Sequence, residues 1–309
     1  MFPDNNWYGH KYILSKYINA KEEYIFGSLQ HGWISQFDNP YYENKIRFYP
    51  LLFWSKHIED FYKFKKKTNV YSIGAPFLYL CEIFNKKNTN KSSKGTLVFP
   101  THSSQDLKQK TNHYLLIEDI EKKHDGPYTI CFYYYDLNSK DIEIYKKKNW
   151  RVVCCTRGRT DKFSLYRQFL EISKHDTIVC GELCSPLFYG MYLKKKTRIS
   201  FNSNERNKHY QDKEKKMVES YRKYYPQLFD GFLTPEEGYV LGKKELGFEC
   251  LKSREDLKKI LGYNSHFKKL ISKLFSRVYD FKFGPELRRG KDLSKKKLNL
   301  YKTSAFNDY

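Results

Sequence analysis

The chain has 309 residues, of which 40% are hydrophobic and 18% aromatic, a composition that excludes a disordered polypeptide and a length that allows two domains of ordinary size. Its net charge is +22, from 57 Lys and Arg against 35 Asp and Glu. Basic chains take nucleic acid, anionic membranes or phosphorylated substrates, and charge alone does not choose among them.

No charged-then-apolar leader opens the sequence, and no apolar run approaches the roughly 20 residues that a spanning helix needs. The expectation is a cytoplasmic protein, soluble or held peripherally on the inner face of the cytoplasmic membrane. Seven Cys are scattered with no C-x-x-C spacing, so they read as small buried apolar residues and not as a metal or redox site.

Trp7-Tyr8-Gly9-His10 is loop-like, and a helical pattern follows through Tyr12, Ile13, Tyr17 and Ile18. Residues 24–29 form a predicted strand running into Gln30-His31-Gly32. A His with Gly directly after a strand is placed to line a cleft, although the plainer reading is a structural His. Residues 51–55 read as a strand, 56–64 as a helix, and 70–73 as a short strand broken by Gly74-Ala75-Pro76. The Lys/Asn/Ser run from 85 to 94 has the composition of an exposed linker. It divides a short first lobe, residues 1–84, from a second lobe over 96–204, with 85–95 between them and a helical basic region over 205–309.

In the second lobe predicted strands at 96–100, 128–134, 150–155, 177–180 and 197–201 alternate with predicted helices at 112–123, 142–148 and 163–174 and one opening at Ser185-Pro186. That alternation is the pattern of a parallel, doubly wound α/β sheet. Ser185 reads as the cap of its helix and Pro186 as the first helical residue. Four strand ends carry polar groups: Thr101-His102-Ser103-Ser104, Tyr135-Asp136, Thr156-Arg157-Gly158-Arg159, and Gly181-Glu182 followed by Ser185. In a parallel sheet these ends meet along one edge, where open α/β folds bind phosphorylated ligands. A Ser that only caps its helix is the plain alternative for Ser185.

Beyond residue 204, charged helices are expected over 205–225 and within 245–261. Over 264–279, Phe267, Leu270, Ile271, Leu274 and Val278 fall on one face, with Lys268, Lys269, Lys273 and Arg277 elsewhere. Such a basic amphipathic helix either packs its apolar face on its own protein or meets an anionic membrane surface. Residues 266–302 hold 12 Lys and Arg against 3 Asp and Glu.

The order of motifs resembles that of GT-B-fold bacterial transferases that build surface polysaccharides, a group that includes capsule and lipopolysaccharide glycosyltransferases and, more distantly, CDP-glycerol glycerophosphotransferases. The resemblance runs from Gly27 to Phe201 through Gln30-His31-Gly32, Leu52-Phe53-Trp54-Ser55-Lys56, Gly74-Ala75-Pro76, Phe99-Pro100-Thr101-His102-Ser103 and Glu182-Leu183-Cys184-Ser185. It implies two Rossmann-like lobes with parallel sheets, the N-terminal one short. It also implies a metal-independent glycosyltransferase whose co-substrate is a nucleotide-activated sugar and which uses no cofactor. His102, Ser103, Ser104, Glu182 and Ser185 would hold the donor, and Arg157 or Arg159 would neutralise the leaving diphosphate. His31 would take the acceptor proton, since histidine is ordinarily available as neutral imidazole near pH 7. His10 is the reserve base and Asp4 a weaker one.

The CDP-polyol enzymes usually carry a His-Pro pair where this chain has Tyr135-Asp136, and two serines where it has Cys184-Ser185. The departure favours an ordinary nucleotide sugar or a CMP-activated acid sugar over a polyol-phosphate donor. The acceptor would be a capsule, lipopolysaccharide or related glycan, or a lipid-linked precursor. Transfer of a polyol phosphate from a CDP donor is the alternative cargo. A nucleic-acid-binding protein is the alternative class, although the sequence holds no recognisable nucleic-acid motif and no specific nucleic-acid partner is expected.

Overall fold

The computed structural model describes residues 5–35, 49–65, 69–85, 93–103, 110–200, 204–205, 218–229 and 233–274. Ser104, Asp4 and Val278, and most of the expected linker, lie outside them. The chain is a mixed α/β protein that divides into two compact units, and neither unit is continuous in sequence. The first takes residues 1–91, 156–166 and 243–289, and the second takes 92–155, 167–242 and 290–309.

The first unit holds a three-stranded parallel sheet of β1 (Ser28–Leu29), β2 (Leu51–Phe53) and β3 (Val70–Ser72), in that order. Among the described residues its helices include α1 (His10–Tyr17), α2 (Lys56–Phe64) and α3 (Pro76–Asn85), and toward the C-terminus α10 (Arg254–Ile260) and α11 over residues 266–274. The first half of α3 is apolar on every side and buried, from Phe77 through Cys81. Pro76 sits at its first turn, where a missing amide costs nothing; a residue that reads as a strand breaker is here a helix start. The α2 helix is pinned to β3 by Glu59, a buried carboxylate that accepts from the Ser72 amide at 2.9 Å and from its hydroxyl, and pairs with Lys56 and Lys63. Burial by itself would raise the Glu59 pKa, but these donors together hold it at about 2.

The described residues 243–274 belong to this first unit, whereas a separate helical region was expected over 205–309. Gly247 has φ +68°, and a Cβ there would lie 1.9 Å from the Trp54 carbonyl oxygen, so the chain passes directly over the end of β2. The Leu246 carbonyl accepts from the Ala75 amide at 2.8 Å, and buried Glu245 accepts from Trp33 Nε1 at 2.8 Å. Further on, the Tyr263 ring stacks on Tyr24 at 4.0 Å, and its hydroxyl lies 3.0 Å from the Ser15 hydroxyl and donates to the Glu22 carbonyl.

The second unit is Rossmann-like. Its five strands, β4 (Thr96–Phe99), β6 (Tyr128–Cys131), β7 (Arg151–Val153), β8 (Thr177–Cys180) and β9 (Lys196–Ile199), are all parallel and run in the order β7-β6-β4-β8-β9. A two-stranded antiparallel ladder pairs β5 (Lys110–Thr111) with β10 (Asn204–Glu205). The helices are α4 (His113–Lys123), α5 (Ser139–Lys147), α6 (Ser164–Lys174), α7 (Ser185–Tyr192), α8 over residues 218–224, and α9 (Pro235–Leu246). The division between units falls inside α6 and α9. Asn112 and Asn138 cap α4 and α5, their side-chain oxygens accepting from the Leu115 and Asp141 amides. Val98, Ile130 and Val179 from the three central strands meet Leu116, Ile117 and Ile120 of α4 and Tyr145 of α5 in the core.

Candidate functional site

In a sheet ordered β7-β6-β4-β8-β9 the direction of winding reverses between β4 and β8. Side chains and amides beyond the carboxyl ends of those two strands flank a crevice, because the following chain segments leave toward opposite faces. On one side stand Thr101, His102 and Ser103; on the other stand Gly181, Glu182 and the start of α7. The two loops run in close contact. A Cβ on Gly181 would lie 2.5 Å from the Thr101 nitrogen and 2.6 Å from its hydroxyl oxygen, so only glycine permits the approach.

His102 is exposed, and its ring lies against that of Tyr133 with centroids 4.3 Å apart and planes inclined by 32°. Its Nδ1 lies 3.0 Å from the Ser103 carbonyl oxygen. A carbonyl can only accept, so Nδ1 carries the proton. The neutral ring then presents Nε2 as an acceptor, and protonation would turn it into a donor. Ser103 is buried, and its amide donates to Asp136 Oδ2 at 3.0 Å. Asp136 follows β6, so its carboxylate braces the β4 loop from the neighbouring strand. Glu182 is half-buried on the other side of the crevice.

The start of α7 differs from the sequence expectation by one residue. Cys184, with φ −154° and ψ 166°, is the cap, and it makes no side-chain capping bond. Ser185 is the first helical residue. Pro186 brings no amide, and the Leu187 amide turns back to the Cys184 carbonyl at 3.1 Å. This helix start therefore offers fewer outward donors than its sequence promises.

Arg157 and Arg159 belong to the first unit and not to the expected donor lobe. After β7 the chain turns through buried Asp161, whose carboxylate accepts from the Arg157 amide at 2.9 Å and the Phe163 amide at 3.2 Å. The Arg159 carbonyl accepts from the Tyr8 amide at 2.7 Å, and its guanidinium lies over the Trp7 ring at 5.1 Å. The polar rim expected at the sheet edge therefore does not draw these two arginines from the second unit. Within the second unit the described crevice residues carry His102 with the two carboxylates of Asp136 and Glu182. Such carboxylates accept from hydroxyl groups, which suits a ribose or a sugar better than a phosphate.

The two candidate bases are both in the first unit. His31 is half-buried, in ring contact with Trp7 at a centroid distance of 4.1 Å. Its turn is locked by Gln30, which the sequence reading did not single out. The Gln30 side chain donates to the Gly32 carbonyl at 2.8 Å and accepts from the Trp54 amide at 2.9 Å, and its own carbonyl accepts from Trp54 Nε1. A Gln beside His-Gly after a strand was the available signal, but its partner Trp54 is 24 residues away.

His10 is 2% exposed at the first position of α1, edge-on to Trp54, and a hydrogen bond to the Gln30 backbone only partly offsets its burial. Desolvation pushes its pKa down to about 3. A ring so enclosed and so weakly basic is a core residue, and the reserve role expected of it is withdrawn. Asp4 and Ser104 fall outside the described residues. Among those residues no group of His, Cys, Asp and Glu is arranged to hold a metal, and no helix is long and apolar enough to cross a membrane. The chain matches no family model and no curated protein.

Proposed function

We infer that this protein is a GT-B-type glycosyltransferase that moves a sugar from a nucleotide donor, CMP-activated acid sugars included, to a capsule, lipopolysaccharide or related surface-glycan acceptor. The observation that carries the reading is the strand order of the second unit. It sets the polar residues after β4 and β8 on either side of one crevice, as a nucleotide site requires. The order of motifs shared with surface-polysaccharide transferases supplies the reaction class.

In this reading the Asp136 and Glu182 carboxylates accept from donor hydroxyls. His102, Ser103 and Ser185 face the phosphate oxygens. His31 takes the acceptor proton. The acceptor oxygen bonds to the anomeric carbon as the bond from that carbon to the phosphate oxygen breaks. The electron pair leaves on the nucleotide, and the acceptor proton passes to His31.

The test begins with thermal shifts against CMP, CDP, UDP and GDP, where the cognate nucleotide raises the melting temperature. His102→Ala then weakens that shift, while His31→Ala keeps it and lowers turnover by about 10²-fold or more. A flat response to every nucleotide, or full activity in both variants, overturns the reading.

A further inference from the structure

The helix over residues 266–274, here α11, is mounted with its apolar side outward. Phe267, Leu270 and Leu274 are 69%, 63% and 60% exposed. At 100° per residue these three positions fall within one narrow stripe. The opposite side, which meets the protein, is polar. Lys268 lies over the Phe26 ring at 5.2 Å, Ser272 is buried and donates to the Lys268 carbonyl, and Lys269 and Lys273 reach Glu22 at 2.7 Å and 2.8 Å. The two lysines hold the Glu22 carboxyl down at about 2, so this ion pair persists at any ordinary pH. A soluble surface helix normally does the reverse, burying its apolar stripe and leaving its lysines in water. Here cations are used as anchors, and the stripe is left facing out.

We propose that α11 docks this protein onto an anionic lipid bilayer, with Phe267, Leu270 and Leu274 entering the headgroup–acyl boundary. Charge selects this occupant. Lys268, Lys269 and Lys273 outnumber the Glu22 carboxylate that two of them pair with, and in sequence the helix opens a stretch, 266–302, that holds 12 Lys and Arg against 3 Asp and Glu. An apolar stripe set in a strongly cationic segment matches a surface that is apolar just below a layer of lipid phosphates. The proposal stands independently of the transferase reading, because it uses neither the crevice nor His31.

The experiment is flotation of the full chain with two kinds of vesicle, phosphatidylcholine alone and phosphatidylcholine mixed with phosphatidylglycerol. The wild type should float with the anionic vesicles, less so as salt rises, and not with phosphatidylcholine alone. A triple variant, Phe267→Ser, Leu270→Ser and Leu274→Ser, keeps every charge and should lose affinity for anionic vesicles by about tenfold or more, with an unchanged melting temperature. Leu270→Ser alone should lose about threefold or more, and it carries the test if the triple variant is not obtained folded. Four results overturn the proposal. The wild type fails to float, or the triple variant floats as well as the wild type, which assigns binding to the other lysines. The triple variant melts at a lower temperature, which means the chain itself covers the stripe. Or the wild type is a dimer that the triple variant converts to monomer, which makes the occupant a second copy.

Discussion

Replacing Gly181 by Ala adds one methyl group where the loops after β8 and β4 meet. Its carbon would lie 2.5 Å from the Thr101 nitrogen and 2.6 Å from the Thr101 hydroxyl oxygen. Comfortable contact needs about 3.5 Å, so the two loops must part by about 1 Å. Thr101 is buried at the end of a central strand, and the β4–β8 ladder continues to Phe99 and Cys180, so the movement cannot be taken up by a free surface loop. Overpacking of this kind costs about 1–3 kcal/mol. In a chain of this size that lowers the melting temperature by about 2–5 °C. Differential scanning fluorimetry of Gly181→Ala against wild type, with and without the cognate nucleotide, reads both consequences. The variant should melt lower and lose most of the nucleotide-induced shift, since the crevice walls no longer have their spacing. An unchanged melting temperature refutes the close approach. A lowered melting temperature with the full nucleotide shift retained refutes the crevice as the nucleotide site.

The remaining predictions concern charge. The His10 pKa lies at about 3 when folded and near 6.5 when unfolded, so between those values the unfolded chain binds the extra proton. Stability therefore falls as pH drops below 6.5, with His10 contributing up to about 1.4 kcal/mol per pH unit, and His10→Phe should remove that slope in urea titrations. Glu59 contributes through the opposite kind of shift, from 4.5 down to about 2. Its stabilisation, at most about 3 kcal/mol, is complete above pH 4.5 and disappears as pH falls toward 2. Glu59→Gln should cost about 1–3 kcal/mol at neutral pH and little at pH 2, and equal destabilisation at both would show that its ion pairs contribute nothing. Asp136→Asn keeps an acceptor for the Ser103 amide but removes the charge. Nucleotide-sugar affinity should fall several-fold with little loss of stability, and an unchanged affinity would remove Asp136 from the site.

The alternation of strands and helices from Thr96 to Ile199 is legible in the sequence, because hydrophobic period and Gly breaks are properties of neighbouring residues. From that alternation alone it follows that His102, Asp136 and Glu182 stand beyond the carboxyl ends of parallel strands. What the residues at those ends do to one another was not legible. The contact between Gly181 and Thr101 and the bond from the Ser103 amide to Asp136 join segments that the sequence separates by 80 and 33 residues. The packing of Arg159 depends likewise on Trp7 and Tyr8, some 150 residues away. The same holds for His10, whose burial is set by Trp54 and whose pKa no local pattern reveals. The α11 helix shows the division most plainly. Its amphipathic spacing is written in nine residues, but which side faces outward was decided by Glu22 and Phe26, at the far end of the chain. Periodicity defines an apolar face, and only a distant partner determines whether that face is buried.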